Sequence, residues 1–328
     1  MIPVAPPDLI ALTGASGLLG GAVARRLQDA GFRVRCLLRR PDPTLPGEAV
    51  IGDLADVAAI DRLVAGAAAV VHIAAMYRSD GPAEEFMAVN RDGTERLLRA
   101  AQAAGARRFV QCSTIGVHGS VPTSPADENA PFDPRDAYQE SKLAAERICR
   151  AAVGTGPMEI VILRPCGIYG PGDTRLLKMF RMLQKRMFVQ IGEGSANFHP
   201  VYIDDLAEGF MRGLTVPGID GETFILGAAE YIPLKAFIAQ AAASLDRAPP
   251  WIRLPYKPVE RVADLCEAIC RKLAIEPPLH RRRLTFFKHN RAFSIAHARE
   301  RLGYEPQVDL AEGFRRTVAW YRQQGMLE

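Results

Sequence analysis

Gly14, Gly17 and Gly20, in the stretch "TGASGLLGG", stand between a short apolar run, Leu9 to Thr13, and an alanine- and leucine-rich segment that begins at Leu18. A strand, a glycine turn and a helix in direct succession restrict the fold strongly. A helix that packs back on its own strand is followed by a second strand lying parallel to the first. The rest of the first half keeps this alternation. Apolar runs at Arg33 to Leu38, Ala49 to Ile51, Ala69 to Ile73, Arg108 to Cys112 and Glu159 to Leu163 read as strands. Helical patterns near Leu18 to Ala30, Val57 to Ala65, Ala83 to Ala104 and Ala137 to Ala152 separate them. The expected fold class is α/β, a Rossmann-type doubly wound parallel sheet with helices on both faces.

After Arg164 the rhythm breaks at turn-rich pieces such as "GIYGPGD" and "VPGIDGE". Helical patterns return at Asp205 to Leu214, Leu234 to Ser244, Val259 to Leu273 and Leu310 to Gln324. The chain of 328 residues therefore divides into a dinucleotide-binding domain, 1–164, and a mainly substrate-binding lobe, 165–328, of which about 197–230 returns to the first domain. Hydrophobic residues at 48% and charged residues at 24% are ordinary for a folded chain. No run reaches the roughly 18 apolar residues of a membrane-spanning helix. The net charge of +4 is dispersed, apart from "HRRRLTFFKHNR" at His280 to Arg291, and does not argue for a nucleic-acid partner. Cys36, Cys112, Cys149, Cys166, Cys266 and Cys270 form no metal-ligand or redox spacing, and no metal site is expected. With no leader recognisable at the start, free thiols and a cytoplasmic location are expected.

The glycine loop points to a dinucleotide. Glycines let the backbone approach a pyrophosphate held by the free N–H groups of a helix N-terminus. The second strand ends "VRCLLRRPD", with Leu38 where an acid would contact the adenosine ribose and Arg39 next. An arginine there suits a 2′-phosphate, so NADP(H) is preferred and NAD(H) is the alternative. Asp53, after the third strand, is a candidate adenine partner, and His72 reads as a packed strand-end residue.

"YQESK", Tyr138 to Lys142, places a phenol and an ammonium at i and i+4, on one face of a helix. Together with the glycine loop and "CST" after the fifth strand, it resembles the short-chain dehydrogenase/reductase superfamily. The segments "LRPCGIYGPGD" and "HPVYIDDLAEG" are similar to its extended branch, which contains nucleotide-sugar epimerases and 3β-hydroxysteroid dehydrogenases. The resemblance implies that Tyr138 is the general acid/base, with its pKa lowered by Lys142 and the cofactor's charge. Thr114 would bond the substrate oxygen, Ser113 would help it, and Asn90 would support the active-site helix. It implies a cofactor site of Gly14, Ser16, Gly17, Leu18, Gly20, Arg39, Asp53, Leu54, Ala74, Tyr138, Lys142 and Pro165. Ser113, Cys166, Gly167 and Phe198 would face the substrate.

The departures select among substrates. Ile115-Gly116 replaces the Asp-Glu pair that sugar dehydratases of this branch carry. Gly167 and Phe198 stand where epimerases place an Asn and an Arg on the diphosphate. The tail from Phe293 is similar to 3β-hydroxysteroid dehydrogenases, sterol-decarboxylating dehydrogenases and β-ketoacid-type reductases. The expected activity is alcohol–ketone interconversion on a bulky, mostly apolar small molecule. A nucleotide-sugar epimerase with tightly bound NAD is the alternative, and a non-catalytic cofactor sensor a further one. In 257–291 an amphipathic pattern of Val259, Val262, Cys266, Ile269 and Leu273 precedes the basic cluster. It suits packing on the lobe or on a homodimer partner, with contact to a membrane surface as the alternative.

Overall fold

The computed structural model describes residues 3–77, 81–121, 124–272, 284 and 287–328, the side chains of 269, 271 and 272 excepted. Strands β1 (Leu9–Thr13), β2 (Arg33–Leu38), β3 (Glu48–Ile51), β4 (Ala69–His72), β5 (Arg108–Cys112) and β6 (Glu159–Pro165) alternate with helices α1 (Leu18–Asp29), α2 (Val57–Val64), α3 (Ala83–Phe86), α4 (Gly93–Ala103) and α5 (Ala137–Ala152). Beyond β6 come β7 (Gly167–Tyr169), α6 (Leu177–Gln184), β8 (Gln190–Ile191), β9 (Asn197–Phe198), β10 (Pro200–Tyr202), α7 (Ile203–Thr215) and β11 (Thr223–Leu226). Then follow β12 (Ile232–Pro233), α8 (Leu234–Ala243), β13 (Arg253–Leu254), α9 (Tyr256–Lys272) and the helices Ala296–Leu302 and Leu310–Gln323.

The main sheet has seven strands in the order β3-β2-β1-β4-β5-β6-β11, and every neighbouring pair is parallel. Its strands are apolar on both faces, so both must be covered. Ile10 and Leu12 share a core with Leu19 and Val23 of α1 and Leu206 and Phe210 of α7. Leu9 and Ala11 share the opposite core with Ile60 of α2 and Leu97 of α4. The strand order reverses between β1 and β4, and the crevice at their carboxyl ends is where such sheets take ligands. This is a Rossmann-type α/β fold.

The first core runs on without a break into the second half of the chain. Phe180, Phe237, Phe314 and Tyr321 are fully buried there, with the Phe237 and Phe314 rings 5.0 Å apart, edge to face. The last strand of the sheet comes from this half. Thr223 to Leu226 pair with Ile162 to Pro165, so β6 is an inner strand.

Two elements depart from the expected pattern. The helix anticipated over Ala83 to Ala104 is interrupted by a π-helical turn at Met87–Asp92. Wide turns of this kind form where a side-chain interaction competes with the regular ladder. Here the hydroxyl of Thr94 donates to the carbonyl of Asn90 at 2.6 Å, and the Asn90 side chain bonds outside its own helix. In α9 the inward face is only partly the one expected, with Val259 and Cys266 half-buried. Ala263 and Cys270 are buried, whereas Val262 and Leu265 are 59% and 62% exposed. The Ile269 side chain, Leu273 and most of the basic cluster, 280–283 and 285–286, lie outside the described residues.

Candidate active site

At the end of β1 the chain turns through Gly14, with φ +79°. A side chain there would strike the backbone of Ala74, whose nitrogen lies 2.6 Å from the position of a Cβ. At Gly20 a Cβ would lie 2.0 Å from the Gly14 carbonyl oxygen. Both positions demand glycine because loop, helix and the β4 end are in backbone contact. Ser16 and Gly17 are exposed at the loop tip, and Leu18 opens α1 half-buried. Gly17, the N-cap of α1, brings no side-chain acceptor, so among the described residues no cap satisfies the first N–H groups of the helix. Thr13 braces the other side: its hydroxyl oxygen accepts from the nitrogens of Ile73 (3.2 Å) and Ala74 (3.1 Å).

His72, at the end of β4, is buried between two hydroxyls, Thr13 Oγ1 at 2.6 Å from Nδ1 and Thr94 Oγ1 at 3.0 Å from Nε2. Because Thr94 spends its proton on the Asn90 carbonyl, Nε2 donates and Nδ1 accepts. Burial, with the Lys142 charge second, pushes its pKa down to about 3, and the ring stays neutral. It is a packed strand-end residue, as expected.

On the adenosine side, Leu38 is buried and Arg39 and Arg40 are exposed, without a side-chain hydrogen bond or ion pair among the described residues. Asp53 Oδ1 accepts from the nitrogens of Ala55 (2.8 Å) and Asp56 (3.2 Å), a turn-forming role that explains the residue without a ligand. Leu54 is buried and would meet any Cβ placed on Gly93.

Helix α5 carries the central residues. Asp136 caps it by accepting from the Gln139 nitrogen at 2.9 Å. Tyr138 lies on its first turn, with its ring 4.8 Å from that of Tyr77 in the loop after β4. Lys142, one turn on, is 1% exposed, and its ammonium has no hydrogen bond among the described residues. Asn90 fixes the relation between β4 and α5. Its side chain accepts from the Met76 nitrogen (2.7 Å) and donates to the Met76 carbonyl (3.1 Å) and Ser141 Oγ (2.9 Å). Ser141 in turn donates to the Tyr138 carbonyl at 2.8 Å.

Thr114 caps a short 3-10 turn, Ile115–His118, accepting from the Gly116 nitrogen at 3.0 Å, and its own hydroxyl proton remains to be donated. This turn packs on α5, since a Cβ on Gly116 would lie 3.2 Å from Cγ of Gln139, the neighbour of Tyr138.

Ser113 is a correction. It is 3% exposed and donates its hydroxyl to the buried carboxylate of Glu146, so it is not available to a substrate. Glu146 receives Arg164 in a two-pronged ion pair, Nε to Oε1 at 2.9 Å and Nη2 to Oε2 at 2.7 Å, with both residues fully buried. Arg164 also donates to the Glu128 carbonyl and to His118 Nε2, each at 2.9 Å. Burial alone would raise the Glu146 pKa, but the hydrogen bonds and charge of Arg164 outweigh it and hold the carboxyl below its usual range. This network ties α5 to β6. Its sequence signal is the third member of a four-residue spacing, Tyr138, Lys142, Glu146.

The chain's own groups act on the Tyr138 phenol as follows from its surroundings. Burial dominates and pushes the phenol pKa up, Cys112, Tyr77 and Asp136 add to the rise, and only Arg175 is seen to oppose it. Burial likewise lowers the pKa of Lys142. On the substrate side, Cys166 and Pro165 are buried, and desolvation raises the Cys166 thiol pKa well above its ordinary value. Phe198 covers Gly167 so closely that a Cβ there would lie 2.4 Å from Phe198 Cζ, and the Phe198 ring packs edge-on against Phe237 at 4.8 Å.

Residues 10–227 match the model of the NAD dependent epimerase/dehydratase family. The chain belongs to that family. Its members are enzymes, and this one is an extended short-chain dehydrogenase/reductase. Two relatives match nearly the whole chain. A 3 beta-hydroxysteroid dehydrogenase/Delta 5-->4-isomerase of Mycobacterium tuberculosis is 30% identical over 95% of this chain and 90% of its own. A 2-alkyl-3-oxoalkanoate reductase of Stenotrophomonas maltophilia is 31% identical over 94% of this chain and 98% of its own. Among solved structures, a short-chain dehydrogenase/reductase superfamily protein from Agrobacterium tumefaciens with bound NAD superposes with a TM-score of 0.76, at 26% identity, over 96% of this chain and 98% of that one.

The residues present fit such a cofactor. The uncapped α1 N-terminus suits a pyrophosphate, and the buried, unbonded Lys142 ammonium needs acceptors of the kind a ribose provides. Among the described residues no helix is long and apolar enough to cross a membrane.

Proposed function

We propose that this enzyme interconverts a secondary alcohol and a ketone on a bulky, mostly apolar substrate, and that it prefers NADP(H). The observation that carries the substrate class is the closure of Gly167 by Phe198. An Asn at 167 has no room beside that ring, so the site offers aromatic surface where a polar grip on a diphosphate would otherwise sit. The reductase and steroid dehydrogenase named above act on substrates of this kind according to their names. The NADP(H) preference rests on the exposed, unpaired Arg39 and on Leu38 in place of an acid.

A bound nicotinamide supplies or accepts the hydride. Tyr138 gives its phenolic proton to the carbonyl oxygen during reduction and takes it back during oxidation. Thr114 donates a hydrogen bond to the same oxygen and orients it. Lys142 binds the ribose side and its positive charge favours the phenolate in the oxidative direction. Asn90 holds the Tyr138 turn against the β4 loop through Ser141.

A second reading, a nucleotide-sugar epimerase, is favoured by Arg175 and Arg291 near Tyr77, which could serve a diphosphate. A turnover assay separates the two. The enzyme is incubated with NADPH or NADH and a panel of 3-oxo steroids, long-chain 3-oxo compounds and UDP-hexoses. Net oxidation of NADPH with an apolar ketone, faster than of NADH, is the expected result. UDP-hexose interconversion without net redox would put the epimerase in its place.

A further inference from the structure

The segment that includes Arg291 is held from both sides. Its backbone nitrogen donates to the Asn197 carbonyl at 2.9 Å, and Asn290 Oδ1 accepts from the Asn197 nitrogen at 3.2 Å. On the opposite side the Asn290 and Ala292 carbonyls accept from Val121 (3.1 Å) and Ala126 (2.9 Å). Arg291 is thus anchored between β9, which carries Phe198, and the loop that follows the Thr114 turn.

Its side chain differs from three other arginines of the fold. Arg164 is paired with Glu146, Arg108 with Glu159 and Arg175 with Asp173. Arg291 is half-buried, and among the described residues its guanidinium has no hydrogen bond and no acid within ion-pair distance. Burial lowers its pKa, and the groups that act against this are Tyr77 and Asp136, the same two that flank Tyr138. His289 feels Arg291, Arg135 and Lys288, with Asp133, the ion-pair partner of Arg135, acting the other way. A partly desolvated guanidinium without a protein partner favours an anion, and one entering the cleft would satisfy it.

We propose that Arg291 recognises an anionic group, a carboxylate or a phosphate ester, on the substrate that Tyr138 protonates. The inference rests on the alcohol–ketone reading and narrows it. The preferred ligand has a long apolar body on the Phe198 side and one anionic head at Arg291. A neutral sterol would leave the guanidinium unpaired.

The test uses binding, so it does not depend on turnover. Decanoate, decyl phosphate and methyl decanoate are titrated by calorimetry into the NADP-loaded protein, in wild type, Arg291→Met and Arg291→Lys, with UDP as a fourth probe. A charge-assisted contact predicts about 10- to 100-fold tighter binding of at least one anion than of the ester in wild type. That ratio should fall to about one in Arg291→Met and lie between in Arg291→Lys, which keeps the charge but not the fork. Whichever anion is favoured identifies the head group. Equal wild-type affinities for both anions and the ester overturn the inference without any variant. So does a preference that survives in Arg291→Met. If UDP alone binds, and loses affinity in Arg291→Met, the alcohol–ketone reading fails with it. If the apolar probes bind but show no charge preference, that reading stands and the role of Arg291 does not.

Discussion

At the residue scale, the proposed chemistry turns on the Tyr138 phenol, whose pKa its surroundings raise. A raised pKa means that the acid form, needed to reduce a ketone, persists through neutral pH, whereas the base form, needed to oxidise an alcohol, becomes populated only as pH rises. Reduction should therefore be nearly flat between about pH 6 and 9, and oxidation should climb with pH. Tyr138→Phe should lower both by about 10²- to 10⁴-fold while cofactor affinity, read by fluorescence titration, is retained. Lys142→Met should move the rising oxidative limb to higher pH. An oxidation rate independent of pH in the wild type would contradict this assignment. Tyr138, Lys142 and Thr114 were legible because their pattern is local, within one helix and the turn that packs on it. Ser113 was misread because its partner, Glu146, lies a helix away, and nothing beside Ser113 announces a buried carboxylate. Arg291 was hidden inside a basic cluster, and only the fold separates it from its neighbours.

At the element scale, α5 is held by two side-chain systems rather than by packing alone. Asn90 binds its first turn to the β4 loop, and Glu146 with Arg164 binds its middle to β6. The second matters more for stability. Glu146→Ala leaves Arg164 buried without its counter-ion and should cost about 3 to 5 kcal/mol in urea unfolding. Because the Glu146 carboxyl is held below its usual range, its contribution is complete above the unfolded-state pKa of about 4.3 and disappears as pH falls. Wild type should thus lose more stability than Glu146→Gln on acidification below about pH 5, and parallel acid profiles would sink the idea. The start and end of α5, Ala137 and Ala152, were readable from the helical pattern of the sequence. The π-turn at Met87–Asp92 was not, because its cause is a set of bonds from Asn90 to Met76 and Ser141, across the fold.

At the scale of the whole molecule, the seven-stranded sheet and the two cores on its faces follow from strands that are apolar on both sides, and that much was visible in the alternation of the first half. The second half adds β11, which completes the sheet; it falls within the stretch, about 197–230, expected to return to the first domain, although the sequence pattern marks no strand there. A fragment ending at residue 164 would truncate β6 and leave its outer hydrogen-bonding groups bare. We expect such a fragment to aggregate on expression, whereas one ending after β11, at about residue 227, should stay dispersed longer in light scattering. The same arrangement orders events on the ribosome. The strand that shields β6 is translated only after residues 166 to 222, so a nascent chain carries an open sheet edge through that whole interval. For this enzyme, the hazardous stage of biogenesis falls in mid-translation, and chaperone demand should peak there rather than at chain release.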